Sequence, residues 1–406
     1  MPSVDVRTRT AADVAPVDPG WFFDEELPRL AHERGSLVAA GGRQLAPRPL
    51  SVEVDGRIWT LALDDDRVTV TAGGGGPPAH VRLAEEDLAD VVHDLRTPMG
   101  LFTGGDLDMP AGRLEDFLDW WVILRGLIDA RPVHTTGAVT FTGTDGEPLD
   151  LSRAFHTDDD PRAMGHFLAE AGFLHIAEVF TEDEMGAVSA EMDAAAAGYE
   201  QGDGRSWWAK TAEGDDRLVR MQYFHQESPT TRALMADDRL LGLARLTRDG
   251  HELGKPGSNA NWVEALVKPI GVVEGISDVP WHKDCSLGSH SYRCCSLTVG
   301  ISVTGADQRS GQLRVVAGSH RALIQPAFVR RGLDLPQLDL PTGTGDLTVH
   351  LSCTLHMSQP PVDRERRVLY TDFRLPSIDG QPDPGEAKLR RIREAAPTTV
   401  SQPRAG

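Results

Sequence analysis

The 406-residue chain has no apolar run approaching the roughly eighteen residues that a membrane span requires. Its opening stretch, MPSVDVRTRTAADVAPVDPG, lacks the apolar centre of a signal peptide, so a cytoplasmic protein is expected. Cysteine is scarce as well: Cys285, Cys294, Cys295 and Cys353 form no CxxC pair, which speaks against zinc knuckles and redox dithiols. Buried free thiols are the expectation. Basic residues are also in short supply, 41 against 61 acidic for a net charge of −20, which argues against nucleic acid and polybasic membrane contacts as partners. The length suffices for two domains, each with its own core.

What is present divides into two patterns. After a polar leader over residues 1–24, PLSVEVDGRIWTLALDDDRVTVTAG reads as antiparallel strands around Asp55-Gly56, a dipeptide suited to the positive φ angles of a tight hairpin. GGGGPP at 73–78 lacks the Gly-Lys-Ser/Thr ending of a phosphate loop and reads as a turn. Leu88, Val91, Val92 and Leu95 share one helical face, and so do Leu114, Phe117, Leu118 and Trp121. Trp120 and Trp121 cannot both lie at the centre of that second face, so one either lines a cavity or packs in the core. Strands, DG turn, acidic-capped helix, PMGLFTGGDLDMPAG and a final apolar helix together resemble the sterol carrier protein 2-like domain over residues 25–130. The resemblance implies a smaller α/β domain with an apolar tunnel for a lipid or acyl chain, or a scaffold alone.

Residues 131–158 are rich in Thr, Gly and Asp and read as a linker with one strand at AVTFTG. A second unit, 159–376, opens with helices; Thr181 and Glu184 have the spacing of a capping box. From about Trp262 the pattern shifts to short strands: CSLTVGISV, GQLRVVAGSH, GDLTVHLS and RRVLYTDFRL. Such strands after a helical lead-in point to a jelly roll, giving an α+β chain overall. Residues 377–406 read as a loose tail.

His282-Lys283-Asp284 has the His-x-Asp form, but about two such hits arise by chance in this composition. His156-Thr157-Asp158 and His225-Gln226-Glu227 are the rivals. A facial triad needs two ligands on one side of a strand and a third from a distant strand. Behind His282, GTGDLTVHLSCTLHMS delivers His356 and a basic strand follows; neither rival has such a partner. Two imidazoles and one carboxylate leave three adjacent positions of an octahedron open, as in non-haem Fe(II) oxygenases. A buried cosubstrate carboxylate would require a fixed cation, best a guanidinium.

GHFLAEAGFLHIAEVFTEDEM, KPIG, PWHKD, SGQLRVVAGSHR, GDLTVHLSCTLHMS and RRVLY, in this order, resemble the phytanoyl-CoA dioxygenase family over residues 160–376. The resemblance implies a double-stranded β-helix with flanking helices, Fe(II) held by His282, Asp284 and His356, and 2-oxoglutarate and O₂ as cosubstrates. It implies that Arg367 pairs with the distal carboxylate of 2-oxoglutarate, with Ser358 bonded to it and Arg366 as a rival of opposite strand parity. Lys268 falls where the family often has a lysine, for a cosubstrate contact or a structural one. Where relatives place an aromatic beside the cosubstrate, this chain has Val299-Gly300, so that region is larger or filled from elsewhere.

Other histidines have plainer readings: His350 is either cut off from His356 by a bend at Ser352-Cys353-Thr354 or, on an unbroken strand, a further ligand candidate, His320 bonds a loop, and His290 is on the surface or near substrate. Trp207, Trp208, Tyr223 and Phe224 form an entrance wall or core. The expected reaction is hydroxylation or desaturation of an unactivated C–H bond in an apolar small molecule, such as a lipid, sterol, terpenoid or carrier-bound acyl group. A natural product or amino acid is the alternative, with the first domain a scaffold or a homodimer contact; a non-catalytic lipid-binding protein is another.

Overall fold

The computed structural model describes residues 14–375 except 65, 75, 248–249, 254–261, 276–278 and 289–295, together with 388 and 391. His290, Cys294, Cys295 and nearly all of the stretch read as a tail lie outside the described residues. The segment read as a leader is ordered well before residue 24. Asp18 caps the short helix α1 (Pro19–Trp21), and Val17, Phe22 and Phe23 are buried.

Helix α2 (Leu27–Leu45) leads into β1 (Leu50–Val54) and β2 (Arg57–Asp64), which pair antiparallel across the DG turn. Asp55 and Gly56 have φ of 50° and 75°, the left-handed pair that such a hairpin demands. With β3 (Arg67–Ala72), β4 (Ala79–Leu83) and β5 (Asp108–Ala111) they form a sheet of order β3-β2-β1-β4-β5, with β1 and β4 parallel. Helix α3 (Glu85–Val92) stops before Leu95, because Asp94 turns left-handed at φ 59°. Helices α4 (Pro98–Gly104) and α5 (Leu114–Ile128) follow. Trp120 and Trp121 are both buried with Phe117, Val122 and Ile123 in one core. Core packing therefore describes both tryptophans.

Between the two cores no strand forms at AVTFTG; only a bridge between Thr142 and Pro148 is made. Helix α6 (Pro161–Ala171), strand β6 (Phe173–Ile176) and helix α7 (Glu182–Ala195) open the second part. The capping box is formed: Glu184 N donates to Thr181 Oγ1 at 3.2 Å and Thr181 N donates to Glu184 Oε2 at 2.7 Å.

The remaining strands are β7 (Ser206–Thr211), β8 (Asp216–Met221), β9 (Glu252–Leu253), β10 (Glu264–Lys268), β11 (Val272–Glu274), β12 (Leu297–Ser302), β13 (Leu313–Val316), β14 (Gln337–Leu340), β15 (Leu347–Leu351), β16 (His356–Ser358) and β17 (Arg366–Arg374). The large sheet runs β11-β7-β8-β10-β17-β12-β15-β6 with β9 paired to β17, and a smaller one runs β14-β13-β16. All pairings in these two sheets are antiparallel.

Alternation decides what each face carries. Leu297, Val299 and Ile301 of β12, Val349 of β15 and Leu369 and Phe373 of β17 enter the core shared with Met185, Val188 and Met192 of α7. The opposite face carries Thr298, Gly300, His350, Arg366, Tyr370, Lys268 and Glu264, as the registers require.

Candidate metal centre

His282 and His356 are joined by a two-residue bridge, each backbone N–H donating to the other's carbonyl at 2.9 Å. The expectation of a regular strand at His282 is corrected here. After that single bridge the chain turns, with Ser286 N donating to Lys283 O at 2.8 Å. Asp284 is held instead by its own N–H, which donates to Ser352 O at 2.9 Å.

Both imidazoles are oriented through the nitrogen that faces away from Asp284. His282 Nδ1 lies 2.7 Å from Pro280 O and His356 Nδ1 lies 2.9 Å from Thr354 O, so each donates there and leaves Nε2 with its lone pair. The two Nε2 atoms lie 3.5 and 3.6 Å from Asp284 Oδ1. The outer oxygen, Oδ2, accepts from Thr298 Oγ1 at 2.8 Å. Among the described residues, His282, Asp284 and His356 are the group that could hold a metal ion, with ligand atoms all within 4.8 Å of one another.

Electrostatics favours the metal-ready forms. Burial pushes the His356 imidazole well below its usual range, and His350 and His282 add to the shift. Desolvation opposes the charge on Asp284, yet the surrounding His356, His282 and His350 outweigh it and hold the carboxyl well below the ordinary range. Neutral imidazole and ionised carboxylate are the states that bind a cation. Two nitrogens and one oxygen on one side of a site suit an octahedral ion such as Fe(II).

His350 lies nearer than the sequence implied. Its ring centroid is 4.2 Å from that of His356, its Nε2 is 3.5 Å from Asp284 Oδ2, and both its nitrogens are buried without a hydrogen bond. The rivals fall away: His225 packs edge-on against Trp262 at 5.2 Å, and His156 faces the exposed Glu178. His320 Nε2 donates to Ala169 O of α6 at 2.9 Å.

The two adjacent arginines point to opposite faces of the sheet. Arg367 points to the helix-covered face, where Nη1 donates to Ser189 O and Oγ at 3.1 and 3.0 Å and Nη2 pairs with Asp193 at 2.8 Å. Arg366 shares the face of His350 and is 2 % exposed. Its Nη1 donates to Gly311 O at 2.9 Å and its buried Nε has no partner. A shift of one residue along a strand reverses the side chain, so of these two neighbours on β17 Arg366 alone shares the face of His350. Directly across from Arg366 stands Lys268, whose Nζ donates to Ser358 Oγ at 2.6 Å and Gln359 O at 2.5 Å. Lys268 and Arg366 thus place two cationic groups side by side on this face, with Ser358 bonded to the first.

Beside Val299-Gly300 stands an aromatic of the neighbouring strand, Tyr370. A Cβ on Gly300 would stand 2.9 Å from Tyr370 Cε1, so glycine is needed for the ring to approach. Cys285 and Cys353 are buried thiols with sulfurs 3.7 Å apart, not joined in a disulfide. Phe224 is core, whereas Trp207 and Trp208 are only half-buried on β7. No helix among the described residues is long and apolar enough to cross a membrane.

No curated protein matches the chain. Among solved structures, AviO1 from Streptomyces viridochromogenes Tue57 is 22% identical with a TM-score of 0.42, covering 55% of this chain and 98% of its own. EctD from S. alaskensis, solved with 2-oxoglutarate and 5-hydroxyectoine, is 16% identical with a TM-score of 0.42, covering 60% and 85%. The epimerase SnoN, solved with Fe3+, alpha ketoglutarate and nogalamycin RO, is 20% identical with a TM-score of 0.41, covering 53% and 84%. Residues 168–368 match the phytanoyl-CoA dioxygenase (PhyH) family. With that match falling across the histidine and carboxylate cluster, the chain carries a PhyH family domain and is a non-haem iron- and 2-oxoglutarate-dependent dioxygenase.

Proposed function

We propose that His282 Nε2, His356 Nε2 and Asp284 Oδ1 hold the Fe(II), and that the protein hydroxylates an unactivated C–H bond of a small molecule. The observation that carries this reading is the convergence of the three ligand atoms within 4.8 Å. Bound iron with 2-oxoglutarate and O₂ supplies the oxidising power; the chain's own residues bind, orient and exclude water. In this reading Arg366 takes the distal carboxylate of 2-oxoglutarate in place of Arg367. Ser358 bonds the same carboxylate, and Lys268 braces Ser358 while adding positive charge. Tyr370 closes the side of the pocket left open by Gly300.

Asp284 acts as a one-oxygen ligand, because Thr298 occupies Oδ2 and His350 crowds the same side. His350→Ala is therefore expected to weaken Fe(II) binding about tenfold, at the lower end for a residue supporting a ligand. Calorimetric titration of the anaerobic variant checks this.

For the substrate we propose a small natural product bearing hydrogen-bonding groups rather than a lipid or sterol. Glu264, on the same sheet face, accepts from Gln222 Nε2 at 2.9 Å and pairs with Arg220 at 3.3 Å, and Arg220 lies 4.2 Å above the Trp207 ring. A wall of this chemistry rewards polar groups and penalises bare hydrocarbon. The apolar reading rests on the sterol-carrier-like pattern of residues 25–130, which the PhyH match does not reach. Anaerobic addition of Fe(II) and 2-oxoglutarate is expected to give a weak visible charge-transfer band, and a colourless mixture would defeat the proposal. Succinate formation against matched panels of polar and apolar compounds then separates the substrate classes.

A further inference from the structure

The loop that carries Asp284 is gripped by a part of the chain far outside the matched family domain. Residues 283–288 form a compact turn, closed by Ser286 N donating to Lys283 O at 2.8 Å and Gly288 N donating to Cys285 O at 3.1 Å. One side of the turn rests on Ser352, between β15 and β16. The other side rests on residues 95–100, at the start of α4.

That second contact is backbone against backbone. Thr97 Oγ1 donates to Ser286 O, Thr97 N donates to Leu287 O at 3.3 Å, and Arg96 bridges Gly288. Each chain uses a glycine to come this close. A Cβ on Gly100 would sit 1.9 Å from Leu287 O, and one on Gly288, at φ +118°, would sit 2.3 Å from Leu95 O. The Thr97 hydroxyl does two tasks, since it also accepts from Gly100 N at 3.1 Å as the N-cap of α4. Thr97 and Ser286 are both buried, so water cannot replace the bond between them.

The gripping segment is itself fixed. Arg96 pairs with Asp87, with Asp90 at 2.7 Å and with Asp106 at 2.6 Å. A second strut runs from α5, where Asp119 accepts from Gln325 Nε2 and from Arg330 Nη1 at 2.7 Å. The neighbouring Pro326 O then accepts Lys283 N at 2.8 Å. The turn that presents the carboxylate is therefore held on one side by residues 95–100 directly, and at Lys283 through Pro326, the neighbour of the Gln325 that Asp119 binds.

We infer that residues 95–100 are a positioning element of the metal centre, with Thr97 as the positioning residue that sets the Asp284 turn before the ion arrives. The inference rests on the ligand assignment proposed above. A carboxylate on an unrestrained turn would have to be ordered by the ion, at the expense of affinity. Held in advance, it asks nothing of the ion. The first part of the chain thus completes the site rather than accompanying it.

The test uses the full chain and Co(II) as an air-stable probe, with affinity and the visible d–d band both recorded. Thr97→Val keeps the shape and removes the donor, while Thr97→Ser keeps the donor. Thr97→Val is expected to bind Co(II) about tenfold more weakly and to alter the band, with Thr97→Ser restoring both. Wild-type affinity and band in a folded Thr97→Val protein would overturn the inference, as would equal weakening in Thr97→Ser. Should Thr97→Val fail to fold, Asp119→Asn loosens the second strut and carries the same expectation. A wild-type chain that takes up no Co(II) would bring down the ligand assignment itself, an outcome distinct from wild-type binding that Thr97→Val leaves unchanged.

Discussion

His282→Ala or His356→Ala is expected to reduce 2-oxoglutarate turnover to background, a loss of about a hundredfold or more. Removal of a group that merely supports a ligand costs roughly 10–100-fold, and a ligand itself should cost at least the upper end of that range. Each imidazole already has its Nδ1 committed to a backbone carbonyl, at 2.7 Å in His282 and 2.9 Å in His356, so the alanine variants lose an oriented donor that no neighbour supplies. His350 cannot substitute, because its Nε2 faces the outer oxygen of Asp284 rather than the inner one. Succinate release under saturating Fe(II) measures the effect. Turnover retained in either variant would sink the ligand assignment.

The second large effect separates two adjacent arginines. Arg366→Met should raise the KM for 2-oxoglutarate roughly 30- to 150-fold, the equivalent of about 2–3 kcal/mol for a lost charged hydrogen-bonding partner. Arg367→Met should leave that KM unchanged and lower stability by about 1–3 kcal/mol, because it removes the bonds to Ser189 as well as the pair with Asp193. Arg366→Lys should not restore wild-type behaviour, since a point charge does not reproduce the guanidinium fork. A steady-state titration of 2-oxoglutarate with each variant decides the matter. The reverse ranking would return the role to Arg367.

This pair also marks the limit of what the chain reveals when read as text. Local rules worked where the physics is local: Asp55-Gly56 turned, Thr181 and Glu184 capped a helix, and Leu297, Val299 and Ile301 alternated into the core. His282, Asp284 and His356 do converge as a group, although the His-x-Asp form by itself did not separate them from His156 and His225; the partner segment ending in His356 did. Which of Arg366 and Arg367 faces the site was not legible, because β16 ends at Ser358 and the connection to β17 carries no period of two that would fix it. Tyr370 over Gly300 was invisible for another reason: it depends on which strand lies beside which. So was the contact of Thr97 with Ser286, made between residues 189 apart in the chain. A hint did exist in Gly100 and Gly288, but a glycine in sequence does not say what presses against it.

The position of β17 in the large sheet has a consequence for biosynthesis. It is the final strand among the described residues, yet it lies between β10 and β12 and joins them. A nascent chain emerging from the ribosome therefore has every strand of its first sheet by residue 111, while the second remains split until residues 366–374 have been made. Throughout that interval β10 and β12 present unpaired edges, the form in which sheets adhere to strangers. Premature stops before Arg366 should yield insoluble product rather than a smaller enzyme, and slower translation or chaperone supply should raise the recovery of the intact one.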